Sequence, residues 1–209
     1  MTCPEWNAEI PPGQQRDFAE GVRQALVWVT ESAAQELLST RTFRLWHLAL
    51  FRKCVPVDYY AGNFRQDDAA RPCLGLNVKV GPNPGADFST VLVRMEKLAS
   101  DLRISISRTE LHWLFLNRSD RASRLAAIIA TALGELIRIH PFINGNGRIS
   151  RLLWRWGYQR FGVPAQVRIA PRPDPPYASI MDASMQGNDS LLALEILKYM
   201  ARHPPDRST

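Results

Sequence analysis

The chain has 209 residues, 45% of them hydrophobic, which is enough for one domain, with or without extensions, around a proper core. No run approaches the roughly 20 consecutive apolar residues of a membrane helix, and residues 1–20 carry no apolar signal region, so the composition argues against a membrane protein and for a cytoplasmic one. A net charge of +6 and an isoelectric point near 9.6 suit an acidic partner, but the arginines are scattered, so a nucleic-acid footprint is no better supported than an Arg-rich soluble surface.

Residues 1–13 are rich in proline and polar side chains and read as an extended lead-in. Over 14–39, Phe18, Val22, Leu26, Val29, Ala33 and Leu37 recur at steps of three and four, which predicts one long amphipathic helix. A second helix is expected over 42–54, with Phe43, Trp46, Leu50 and Phe51 on one face. His47 beside Trp46 has no second His, Cys or carboxylate at metal spacing and reads as a core or helix-surface histidine rather than a ligand. Cys3, Cys54 and Cys73 are an odd number at wide spacings without a C-x-x-C pair, and read as reduced and structural. The segment 60–65, Y-A-G-N-F-R, reads as a glycine turn. The best strand candidate is 74–81, where Leu76, Val78 and Val80 alternate with Asn77 and Lys79 before the turn chemistry of G-P-N-P-G. Helices follow over 88–102 and, led by the capping box S-R-T-E, over 107–116. His112, between Leu111 and Trp113, reads as packing. Residues 118–124 read as a polar turn in which Asp120 or Ser119 caps the next helix.

That helix, 126–139, is apolar and should be buried, ending near His140 with Pro141 as its break. The following loop reads P-F-I-N-G-N-G-R-I-S-R. Two glycines flanking Asn146 let the backbone approach a ligand and turn its N–H groups inward, as in an anion-binding nest. Arg148 and Arg151, spaced i, i+3, share a face of the next helix, whose N-terminus adds partial positive charge. One imidazole, a phosphate cradle and two cations make a phosphoryl- or nucleotidyl-transfer kit. The second motif helix should run to Gly162 with Pro164 closing it. A stiff linker follows over 170–176, then a last helix over 191–201 and a flexible tail over 201–209.

The stretch from His140 to Arg151 resembles the Fic family signature H-P-F-x-(D/E)-G-N-G-R-x-x-R, matched at His140, Pro141, Phe142, Gly145, Asn146, Gly147, Arg148 and Arg151. The segment 60–65 is similar to the family's A-G-x-(Y/F)-R. The resemblance implies an all-α Fic-type bundle of about seven to eight helices with a small β-hairpin flap, as a domain over residues 14–200. It also implies a protein adenylyltransferase that moves AMP from ATP to a Ser, Thr or Tyr hydroxyl of a target protein. In that scheme His140 is the general base, and Gly145, Asn146 and Gly147 hold the α- and β-phosphates. Arg148 neutralises the leaving pyrophosphate, and Arg151 fixes the γ-phosphate.

One motif position departs. Asn144 stands where the family carries an acid to hold Mg2+ (or Mn2+), and an amide oxygen brings no charge to a cation usually held by carboxylates. By position, Leu76, Asn77, Val78 and Lys79 match the flap that pairs with the target's backbone, with a plain surface hairpin as the alternative. Ser32 to Leu37 loosely resembles the family's inhibitory motif, which would make Glu36 the brake. A solvated helix face is the alternative, and restraint could instead come from a small antitoxin-like partner. Tyr177 matches a position bordering the family's adenine pocket and is either a stacking residue or a core tyrosine. Other readings are a nucleotide-binding regulatory protein in which Asn144 has weakened turnover, or a Fic enzyme transferring a different phosphate-containing group. A helical DNA-binding module is disfavoured because the Arg-rich helix over 148–160 is threaded with Leu and Trp.

Overall fold

Apolar periodicity becomes helix along most of the chain. The computed structural model describes residues 2–6, 10–35, 38–163, 167–171 and 176–202. Helix α1 (Gln15–Gln35) is followed by α2 (Thr40–Phe51), which starts at a capping box between Ser39 and Thr42. Single 3₁₀ turns at Asp58–Tyr60 and Pro72–Leu74 lead to a hairpin of β1 (Lys79–Val80) and β2 (Asn83–Pro84), paired antiparallel with Lys79 opposite Pro84. Four further helices complete the chain order up to the last element but one: α3 (Val91–His112), α4 (Arg118–Ile139), α5 (Asn146–Arg160) and α6 (Tyr177–Met185). The last element is α7 (Ser190–Arg202). The expected all-α architecture with one small hairpin is what the described residues show.

Helix α4 is the axis. Leu125, Ile129, Leu133, Leu136 and Ile137 recur along it at helical spacing and are all buried, and it packs against α3, α5, α6 and α7. Each such side chain removed from water contributes about 1.5–3 kcal/mol. Gly134 explains how α7 docks. A Cβ there would collide with the Asp189 carboxylate, which sits against α4 and takes a two-pronged pair from Arg138 at 2.9 and 3.1 Å. Helix α1 lies across α2 and α5 and closes the core from the other side.

Several local expectations change. The helices expected at 88–102 and 107–116 are one continuous α3, because neither Gly nor Pro interrupts them and Leu98, Leu102, Ile106 and Thr109 form a single buried stripe. Within it the S-R-T-E tetrad is helix interior, with the Thr109 hydroxyl donating to the Ser105 carbonyl. Residues 118–124 are the first turns of α4 rather than a loop, and the cap is Asn117, whose side chain accepts from the Asp120 N–H at 2.9 Å. The strand expected over 74–81 shrinks to two residues. Arg65 takes the Leu76 carbonyl, Asn77 is tied to Asp87 and the Phe88 N–H, and Pro82 and Pro84 have no N–H to pair. Cys3 and Cys73 are not free thiols but a disulfide with Cα atoms 5.6 Å apart, because the fold lays the lead-in against the 3₁₀ turn at Pro72–Leu74. Cys54 is a free, buried cysteine. Glu36, Pro164, most of the 170–176 linker and residues 203–209 lie outside the described residues.

Candidate active site

The site begins where α4 ends. His140 is its C-cap and sits in the left-handed region (φ 50°, ψ 60°), the only non-glycine residue with positive φ among those described. The helical conformation is disfavoured before Pro141, which accounts for the break there. What holds the residue in an uncommon conformation is Arg65. Its buried guanidinium donates from Nε to the His140 carbonyl (2.8 Å), from Nη2 to the carbonyls of Ile139 (3.0 Å) and Ala86 (2.7 Å), and from Nη1 to that of Leu76 (3.1 Å). One side chain thus joins the end of α4 to both flanks of the hairpin. A Cβ on Gly85 would lie 3.0 Å from the His140 Cβ, so the base of the hairpin touches the histidine.

The His140 ring is largely buried. Burial, and then the Arg65 charge, push its pKa down to about 4, so the imidazole is neutral at neutral pH.

The loop after it rests on an aromatic floor. Phe142 stacks face to face on His47 (3.8 Å between centroids, 9° between planes) and leans against Phe64. Of the two readings open for His47, core or helix surface, it is a satisfied core histidine. Its Nδ1 accepts from the Gly62 N–H (2.9 Å) and its Nε2 donates to the Asn144 carbonyl (3.0 Å), while burial lowers its pKa to about 3. Gly145 needs to be glycine, having φ 81° and no room for a Cβ against the Phe51 ring. Asn146 closes the loop on itself, with Oδ1 accepting from the Phe142 N–H and Nδ2 donating to the Phe142 carbonyl, both at 2.9 Å. Its side-chain groups are thereby engaged, and what Asn146 and Gly147 can offer an anion is the backbone N–H of the first turn of α5.

The two arginines lie beneath that turn. The Arg148 guanidinium sits over the rings of Phe18 (5.1 Å) and Phe51 (5.5 Å), and burial followed by the Arg151 charge lowers its pKa. Arg151 is buried, and its Nε and Nη2 donate to the Ile169 carbonyl at 2.9 and 2.6 Å. Its Nη1 lies 3.6 Å from the point where a Cβ on Gly147 would sit. An unprotonated imidazole, open helix-start amides and two neighbouring cations are thus gathered around one loop. That arrangement can bind a polyphosphate and take a proton from an attacking hydroxyl.

The model of the Fic/DOC family matches residues 37–156, more than half the chain. The chain belongs to that family. The protein adenylyltransferase Fic of Drosophila virilis is 44% identical over 147 residues, 69% of this chain and 25% of that protein. The chain spans about a quarter of the length of the curated relatives it matches. Among solved structures, a Fic-domain-containing signaling protein from Bacteroides thetaiotaomicron superposes with a TM-score of 0.65 at 18% identity, covering 95% of this chain and 70% of that one. BepC from Bartonella tribocorum, solved with bound AMPPNP, gives a TM-score of 0.56 at 16% identity, covering 86% of each. Both likenesses are of fold.

Within the Fic frame, Asn144 does not offer a metal site. Its Oδ1 accepts from the Gly145 N–H (2.6 Å), its Nδ2 donates to the Trp6 carbonyl (2.7 Å), and the amide carries no charge. No group of three His, Cys, Asp or Glu side chains suited to a cation occurs among the described residues. The donors present do not fit a resident divalent ion.

Leu76, Asn77 and Lys79 are exposed and Val78 is half-buried on the hairpin's approach, with the Val78 carbonyl accepting from the Gly85 N–H. Asn83 Nδ2 donates to Asp182 Oδ1 (2.6 Å) and so ties the hairpin to α6. Tyr177 opens α6 with its ring buried and its hydroxyl unpartnered. Arg65 is the residue whose importance the sequence understated. Its partners are backbone carbonyls far along the chain, and the Y-A-G-N-F-R segment carries no local signal of them.

Proposed function

We propose that the chain is a protein adenylyltransferase that moves AMP from ATP to a Ser, Thr or Tyr hydroxyl of a target protein. The observation that carries this reading is the neutral, clamped His140 beside the open start of α5 and the Arg148–Arg151 pair. The name of the Drosophila virilis relative and the AMPPNP bound to BepC support it.

In the reaction the target's hydroxyl oxygen bonds to the α-phosphorus as the bond from that phosphorus to the bridging oxygen breaks. The hydroxyl proton passes to His140, and pyrophosphate leaves. The amides of Asn146 and Gly147 would cradle the α- and β-phosphates, with Gly145, whose N–H is taken by Asn144 Oδ1, supplying the close backbone approach. Arg148 would neutralise the departing charge, and Arg151 would act on the terminal phosphate. Bound phosphates would raise the imidazole's pKa from its low resting value and so strengthen it as a base. Tyr177 would border the base of the nucleotide, and residues 76–79 would pair with the backbone of the target.

A divalent cation, Mg2+ or Mn2+, would arrive with the triphosphate rather than be held by Asn144. Restraint would come from Glu36 or from a small antitoxin-like partner. No helix among the described residues is long and apolar enough to cross a membrane. The cytoplasmic location loses one support, since a bond such as Cys3–Cys73 persists in oxidising compartments.

The test is to incubate the chain with ATP labelled in the α-phosphate, and separately in the γ-phosphate, together with a lysate. The proposal expects label on a target from the α-position only, lost in His140→Ala while AMPPNP binding is kept. Transfer of the γ-label would mean a kinase-like Fic enzyme. A second reading, a nucleotide-binding regulator without turnover, is favoured by Asn144 being committed to Trp6, and it expects nucleotide binding with no label on any target.

A further inference from the structure

Three hydrogen bonds converge on Asn144, the one position at which the motif departs from its family. Beside the bonds to Trp6 and Gly145, its own carbonyl accepts from His47. A carboxylate here could keep the bond from the Gly145 N–H but could not donate to the Trp6 carbonyl. The asparagine is therefore matched to the segment preceding α1.

That segment is anchored by independent contacts. Cys3 is bonded to Cys73, and the Tyr60 hydroxyl donates to the Pro4 carbonyl (3.2 Å). The Trp6 ring stacks on Tyr60 (6.0 Å, 15°) and meets Phe51 and His47 edge-on at 5.1 and 5.8 Å. Phe51 and His47 are the two side chains directly under Gly145.

From this convergence we infer that residues 2–6 are a positioning element of the nucleotide loop, that Trp6 is its contact residue, and that the Cys3–Cys73 disulfide makes the order of residues 141–147 thiol-sensitive. Its consequence for nucleotide affinity rests on the functional reading above; the latch itself does not. Release is thiol–disulfide exchange with a dithiol. One thiolate of the reductant attacks the Sγ of Cys3, which is half-buried where Cys73 is buried, the S–S bond breaks, and Cys73 leaves and takes a proton. The second thiol then displaces Cys3 from the mixed disulfide. Two electrons and two protons reach the protein, and the reductant ends as a disulfide. Without the tether, the five-residue segment is held by the Tyr60–Pro4 and Asn144–Trp6 hydrogen bonds and by ring contacts.

The experiment is hydrogen–deuterium exchange of the full chain, oxidised and then reduced with dithiothreitol, read at peptides covering 141–147 and, as a control, α7. An AMPPNP titration by calorimetry runs on the same samples. Reduction should speed exchange at 141–147 by roughly five- to tenfold, the scale of one intramolecular hydrogen bond, and leave α7 unchanged. AMPPNP affinity should fall by a similar factor. Cys3→Ser should behave as the reduced chain with or without dithiothreitol, and Trp6→Ala should reproduce the faster exchange with the disulfide intact. Equal exchange at 141–147 in both redox states would overturn the inference, and so would equal acceleration throughout the chain, which would indicate global destabilisation. If exchange responds while AMPPNP binds in neither state, the latch stands and the nucleotide reading fails instead.

Discussion

Arg65→Met removes the charge and every donor at one position while keeping a long unbranched side chain. Four carbonyls, of His140, Ile139, Ala86 and Leu76, lose a partner at 2.7–3.1 Å inside the protein. Removing one member of a buried charged network costs roughly 3–5 kcal/mol, most of it from groups left unsatisfied, although relief of the guanidinium's own desolvation offsets part. For a chain of this length each kcal/mol is worth about 2–4 °C, so the midpoint of thermal unfolding should fall by roughly 6–20 °C, nearer the lower end. Circular dichroism on heating measures it. Because the same guanidinium holds His140 in its left-handed conformation and reaches the hairpin, transfer to a target should drop much further than AMPPNP affinity does. A change in midpoint under about 2 °C with unaltered turnover would refute the clamp.

Acid should destabilise the fold through two imidazoles. His140 and His47 have native pKa values of about 4 and about 3, below the usual 6.5, so the unfolded chain binds protons first and stability present above pH 6.5 is lost as pH falls towards 4. The combined loss between pH 7 and 5 should be roughly 3–4 kcal/mol, measurable by urea unfolding, and His47→Gln should halve the slope. Gly145→Ala forces a Cβ into the Phe51 ring at a backbone angle that alanine rarely adopts. AMPPNP binding should be lost from a chain destabilised by about 1–3 kcal/mol, and binding at wild-type affinity would count against the nest. Asn144→Asp removes the donor to the Trp6 carbonyl. It should cost about 1 kcal/mol and make AMPPNP binding respond to Mg2+, a dependence the calorimeter reads directly.

Much of the candidate site was legible because it is local. Residues 140–151 are consecutive, and their types alone call for a helix end, a glycine corner and a second helix start, which is where α4 stops and α5 begins. What went unread was the outer ring of partners. The Arg65 bonds reach residues 11 to 75 positions away, and Asn144 is held by Trp6, 138 positions earlier. Hairpin length failed for the same reason: Leu76 and Asn77 alternate properly for a strand, but the Leu76 carbonyl is taken by Arg65 and the Asn77 side chain is tied down to Asp87 and the Phe88 N–H. Helix α3 was cut in two because S-R-T-E carries the same letters at a start and in the middle of a helix. Only the unbroken stripe Leu98, Leu102, Ile106, Thr109 separates the two cases.

The sequence by itself determined the family, the helical class and the chemistry-bearing loop, since helix periodicity and a spaced motif are written into neighbouring residues. The tertiary structure decided what supports that loop. Closure of a 70-residue separation into the Cys3–Cys73 bond, the burial of Arg65 among four carbonyls and the turn of Asn144 towards Trp6 all depend on which surfaces meet after collapse. Pairing between distant groups has no period for a sequence to display.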